Sequence, residues 1–185
     1  MTTIAMLSAV STVLMFLSFN VPLVPSFLKM DLSELPALLA AYALGPVSGV
    51  VVCFVKNLLN LPFSTTSGVG ELSNFLLGAM FVLPAGWIYK RKKNRFRAFL
   101  GAIAGAMCMA GASFLTNYFI VYPMYMNFMP LESIMGMYQA INSHVETLAQ
   151  ALVLFNIPFT FIKGMLNVLL AFCIYKPLSP VLKGR

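Results

Sequence analysis

The feature that most constrains the fold is a set of long runs without a single charged residue, over 1–28, 35–55, 72–89 and 98–131. A bilayer core of about 30 Å is crossed by roughly 20 apolar residues in a helix, so each run is a candidate span. Of the 185 residues, 60% are apolar or aromatic and 9% are charged, against about 25% charged in an ordinary soluble domain. Too few charges remain to cover a water-facing surface, so the chain is expected to be an all-α integral membrane protein.

Charge placement then orients it. Six of the twelve Lys and Arg lie between Lys90 and Arg97, and Lys176, Lys183 and Arg185 follow near the end. Basic short loops stay on the cytoplasmic side of a membrane, so the net charge of +7 points to topology and not to nucleic acid. Trp87 and Tyr89, just before the basic loop, suit an interfacial aromatic belt. No basic residue precedes Lys29, so the first segment reads as an uncleaved helix instead of a signal peptide. Apolar runs, prolines and turn residues predict helices over 4–21, 33–44, 47–61, 71–89, 99–122 and 147–175. The helix at 33–44 must stop before Gly45-Pro46 and is too short to cross alone. The stretch 123–146 has no Lys or Arg and reads as an external connection. The expectation is one domain over 1–185, a six-helix bundle with both termini inside, in a cell membrane.

Polar residues inside such runs are the functional candidates, because an ionisable group in hydrocarbon normally faces a cavity or a partner. Lys163 stands among 16 uncharged residues before and 12 after. Asn156, Thr160, Lys163 and Asn167 recur at helical spacing and share one face; Pro158 and Gly164 would bend the backbone beside them. Lys163 reads either as a ligand contact or as the packing partner of a buried glutamate. Glu71 and Asn74 open the fourth helix, where Glu71 could bind a ligand or complement the helix dipole. Asn117 could bind a ligand or join helices. Lys56 near a helix end reads as a lysine that reaches the interface along its stem.

Other chemistry is not signalled. The cysteines Cys53, Cys108 and Cys173 stand singly and read as apolar packing residues. His144 lacks a second ligand in register, so no metal site is expected. No catalytic motif or phosphate-binding loop occurs, so the chain is expected to be neither an enzyme nor a holder of a catalytic cofactor. Ala5 and Ala9, and Gly101 and Gly105, have the small-xxx-small spacing of close helix packing.

Taken in order, Phe27-Leu-Lys-Met-Asp31-Leu-Ser-Glu34, Ala43-Leu-Gly45-Pro46, Lys56-Asn57, Val69-Gly70-Glu71-Leu-Ser-Asn74, Thr116-Asn117-Tyr118-Phe119 and Pro158-Phe-Thr160-Phe-Ile-Lys163-Gly164 resemble the S components of energy-coupling-factor (ECF) vitamin transporters, the riboflavin-specific members above all. The resemblance implies a six-helix subunit that binds riboflavin near the outer side. It also implies a transmembrane T component and two cytoplasmic ATPases as partners. With the residues above, it implies a ligand site of Phe27, Leu28, Met30, Glu71, Asn74, Asn117, Thr160, Lys163 and Asn167, and a docking face at Ala5 and Ala9. Some relatives carry asparagine where this chain has Thr160, which offers one donor in place of two. An S component for another vitamin (thiamine or a folate) and a self-sufficient carrier are the alternatives.

Overall fold

A computed structural model describes residues 1–182 apart from 23, 26, 27 and 65, and for 175–182 it describes the backbone alone. Helix α1 (Thr2–Phe16) is followed by a two-residue antiparallel pair, β1 (Phe19–Asn20) with β2 (Lys29–Met30). The helix predicted to 21 therefore stops five residues early. Val21 precedes Pro22 and is pushed towards extended backbone, and the strand pair turns the chain back over the end of the bundle.

Helices α2 (Glu34–Ala43), α3 (Pro46–Asn60) and α4 (Val69–Arg91) follow, then α5 (Arg95–Thr116). The path of α5 continues through a π-helical turn, Asn117–Val121, into α6 (Tyr122–Tyr125). Helix α7 (Leu131–Gln139) lies within the 123–146 connection. The last rod is α8 (Leu148–Ala151), a second π turn at Leu152–Asn156, and α9 (Ile157–Leu182). Among the described residues, four continuous segments are long and apolar enough to cross a membrane: Pro46–Phe63, Val69–Arg91, Arg95–Tyr125 and Leu148–Ile174. Helices α1 and α2 are apolar but shorter.

The two π turns share a cause. Each lies just before a proline, Pro123 and Pro158, and a proline has no N–H to give the carbonyl four residues back. The helix widens there instead of breaking, and such turns often mark functional sites.

Helix α2 is the axis of the bundle. Every residue from Glu34 to Tyr42 is buried, and a helix apolar on all sides belongs in an interior. The main core gathers Leu38, Val52, Phe81, Ala85, Ala102 and Val168 around it. Gly101 and Gly105 serve this packing: a Cβ on Gly105 would lie 2.3 Å from the Phe81 carbonyl oxygen, and one on Gly101 would lie 2.7 Å from that of Ala85. Their spacing joins α5 to α4 within the chain. Likewise Gly164 packs against Ala106, where a Cβ would meet the alanine Cβ at 3.1 Å, and opens no space. Of the three cysteines only Cys53 is buried; Cys108 and Cys173 face outward.

Candidate functional site

A cavity of about 250 Å3 lies at the end of the bundle where α1 and α3 finish, α4 begins and the two π turns sit. The basic 90–97 stretch joins the far ends of α4 and α5, so cavity and basic loop occupy opposite ends. The Phe99–Phe172 ring contact (centroids 5.6 Å apart) brings α9 back to that basic end. Apolar walls come from Met15, Phe16, Leu28, Phe63, Leu77, Met109, Val121 and Phe159.

Lys163 reaches this cavity and is held by two acceptors. Its Nζ donates to Asp31 Oδ2 at 2.8 Å and to Asn74 Oδ1 at 3.2 Å. The partner is an aspartate beside β2, not the packing glutamate considered above. Asp31 Oδ1 accepts from the Ser33 hydroxyl at 2.6 Å and from the Ser33 amide at 3.0 Å. Ser33 Oγ accepts in turn from Lys56 Nζ at 2.6 Å, and the same ammonium donates to Glu34 Oε1 at 2.7 Å. Burial pushes the Asp31 carboxyl up, but Lys163, Lys56 and the Ser33 hydroxyl outweigh it, and its pKa ends below the usual value. It therefore stays ionised across the neutral range.

Lys56 does not reach an interface. It is 0% exposed, because Glu34 and Ser33 at the start of α2 offer oxygen acceptors that hydrocarbon lacks. One chain of charge-assisted hydrogen bonds thus runs from the cavity, through the segment between β2 and α2, into the bundle interior.

Beside Lys163, the wall is built where the end of α5 and its π turn meet α9. Asn117 Nδ2 donates to Ser113 Oγ at 3.0 Å, and that hydroxyl shares a hydrogen bond with Thr160 at 3.1 Å. Glu71 sits at the rim, where its carboxylate accepts from Asn60 (3.2 Å), Ser64 (2.6 Å) and Thr66 (3.4 Å). It clasps the loop before α4 as well as lining the cavity.

Of the nine ligand candidates, Leu28, Glu71, Asn74, Asn117, Thr160 and Lys163 line this one space. Asn167 does not: it turns below the cavity and donates to the Lys163 carbonyl at 2.8 Å. At eleven residues from Asn156 it is about 16 Å farther along the axis, beyond the cavity floor. Met30 is buried behind the wall, since alternate residues of a strand face opposite ways, and Phe27 lies outside the described residues. Ala5 and Ala9 are both exposed on the outer surface of α1.

Sequence reading missed Asp31 as the lysine's partner, which lies 132 residues away. It also missed Tyr122 and Tyr125 in the wall; their signal was Pro123, the mark of a widened helix.

The sequence model of the family described as ECF transporter, substrate-specific component, matches residues 1–175. The riboflavin transporter RibU of Staphylococcus aureus (strain TCH60) is 37% identical over 181 residues, covering 98% of this chain and 90% of the relative. The riboflavin transporter FmnP of Bacillus subtilis (strain 168) is 28% identical over 180 residues, 96% and 90% of the two chains. A solved structure described as the S component of a bacterial ECF transporter matches with a TM-score of 0.77 at 37% identity, over 98% of this chain and 95% of the other.

Proposed function

The chain belongs to the family of substrate-specific components of ECF transporters, and from that premise we propose that it is the riboflavin-binding membrane subunit of an ATP-driven importer. The observation that carries this reading is the cavity in which Lys163, Asn74, Asn117 and Thr160 face walls of Met and Phe. Riboflavin has a flat tricycle with an apolar edge, a pyrimidine edge rich in oxygen and nitrogen, and a hydroxylated side chain. Apolar walls with a few placed polar groups are what such a ligand requires. An ammonium only donates, which suits carbonyl or hydroxyl oxygens; Asn117 and Thr160 would share them, and Glu71 and Asn74 would take the side-chain hydroxyls.

Helices α1 and α2 lie alongside the four long segments and complete six crossings. With the basic loop and both termini inside, the cavity opens outward, where a scarce vitamin is met. The sequence has no phosphate-binding loop, so energy comes from partners, a T component and two ATPases, docked through the Ala5 and Ala9 face.

Titration of the purified, ligand-stripped protein tests the site. Riboflavin should bind with quenching of its fluorescence by the protein, while thiamine and folate should not compete. Lys163→Ala should weaken riboflavin at least about tenfold, since a charged hydrogen bond contributes roughly 1.5–3 kcal/mol. Unchanged affinity would remove Lys163 from the site, and binding of thiamine or folate without riboflavin would overturn the reading.

A further inference from the structure

Three side chains from three separate elements meet beside the cavity in a closed loop of hydrogen bonds. The Tyr138 hydroxyl, on α7, donates to Asn156 Oδ1 at 2.7 Å. Asn156 Nδ2 donates to the Tyr122 hydroxyl at 3.4 Å. The Tyr122 and Tyr138 hydroxyls are themselves hydrogen-bonded, so Tyr122 gives its proton to Tyr138 and each hydroxyl both donates and accepts. Tyr138 and Asn156 are 0% and 1% exposed. Around them Ile134, Val145, Ala151 and Leu152 form a second small core, separate from that of the bundle.

The loop has a direction relative to the cavity. Asn156 and Tyr122 line the cavity, whereas Tyr138 stands behind the wall. The amide oxygen is therefore drawn back towards Tyr138, and the amide nitrogen is turned to the side where Tyr122 and the cavity lie. Nitrogen carries two hydrogens and Tyr122 takes one. The other is a donor at the wall. Without the Tyr138 proton, either edge of the amide could face inward, and the wall would no longer discriminate between acceptors and donors on a ligand.

We propose that Tyr138 is a positioning residue that never touches the ligand but fixes Asn156 as a hydrogen-bond donor, so that Asn156 reads an acceptor atom on the bound molecule. This rests on the riboflavin reading above and adds a specificity element to that site, held by a helix of the connection between the last two rods.

A double-mutant cycle on the purified full chain, read by riboflavin titration, tests it. Asn156→Asp keeps the size and the acceptor for Tyr138 but replaces the donating nitrogen with oxygen. Tyr138→Phe keeps the ring and removes the proton. Each should weaken riboflavin by roughly tenfold, the usual penalty when a buried partner is left unmet. Because one acts through the other, the double variant should bind no more weakly than Asn156→Asp alone. Additive losses, or full affinity in Tyr138→Phe, would overturn the proposal, the latter leaving riboflavin binding by the parent intact. A parent that fails to bind riboflavin defeats the functional reading instead. If Tyr138→Phe does not yield folded protein, Asn156→Asp alone decides, and full affinity there overturns the proposal.

Discussion

At the scale of single residues, the Lys56–Glu34 pair is a fully buried ion pair, and its role can be exposed by removing one member or both. Both side chains are 0% exposed at an N–O distance of 2.7 Å. Gly78 makes the space: a Cβ there would stand 2.7 Å from Glu34 Oε2. Removing one member of a buried pair leaves an uncompensated charge and costs about 3–5 kcal/mol, whereas replacing both by uncharged groups of similar size is often neutral. Lys56→Met should therefore lower the melting temperature of the purified protein sharply. Lys56→Met with Glu34→Gln should recover most of the loss. A single variant that melts with the parent would refute the cost assigned to the buried pair. The pair also bears on the ligand site, because Ser33 connects Lys56 to Asp31 and hence to Lys163. The segment that covers the cavity is in this way tied to the bundle axis.

At the scale of elements, the contact between α4 and α5 depends on backbones touching. With Gly105 in place, the Phe81 carbonyl occupies the position a side chain would need. Gly105→Ala must push the two helices apart, and overpacking of this kind costs typically 1–3 kcal/mol. The measurable outcome is a lower melting temperature with riboflavin affinity reduced little, since Gly105 lies three turns from Asn117. The same change at Gly111, where nothing lies within 4 Å, should raise stability by up to about 1 kcal/mol through helix propensity; an equal loss at both would refute the packing account. How much of this could be read from sequence follows the range of each interaction. Runs of uncharged residues announce helices because the bilayer acts on every residue alike, and the spacing from Asn156 to Lys163 announces one face because helical period is local. The Asp31 partner, the buried state of Lys56 and the exit of Asn167 from the cavity depend on where distant elements end. No local pattern encodes those. Helix α7 was missed for a different reason: at nine residues it is too short to stand alone in water, and is held by Tyr138 and Ile134 in the small core.

At the scale of the whole molecule, the proposed function asks for two connected ends, one that holds the ligand and one that would meet the energising partners. Helix α1 belongs to both. Its last turn contributes Met15 and Phe16 to the cavity wall, while Ala5 and Ala9 are exposed on a surface with Met6, Val10 and Val13. Small residues on an apolar helix let another helix approach closely, which is the geometry a docked transmembrane subunit needs. Ten residues of rise separate Ala5 from Met15, about 15 Å, so a bulky group at Ala5 cannot reach the ligand. Ala5→Trp should therefore abolish riboflavin uptake by cells or proteoliposomes that carry the T component and ATPases, and leave the affinity of the isolated subunit as it was. Ala9→Trp should do the same, since it lies one turn along the same face. Loss of binding together with uptake would mean that the outer face of α1 supports the cavity directly, and uptake that survives both changes would move the docking surface to another helix.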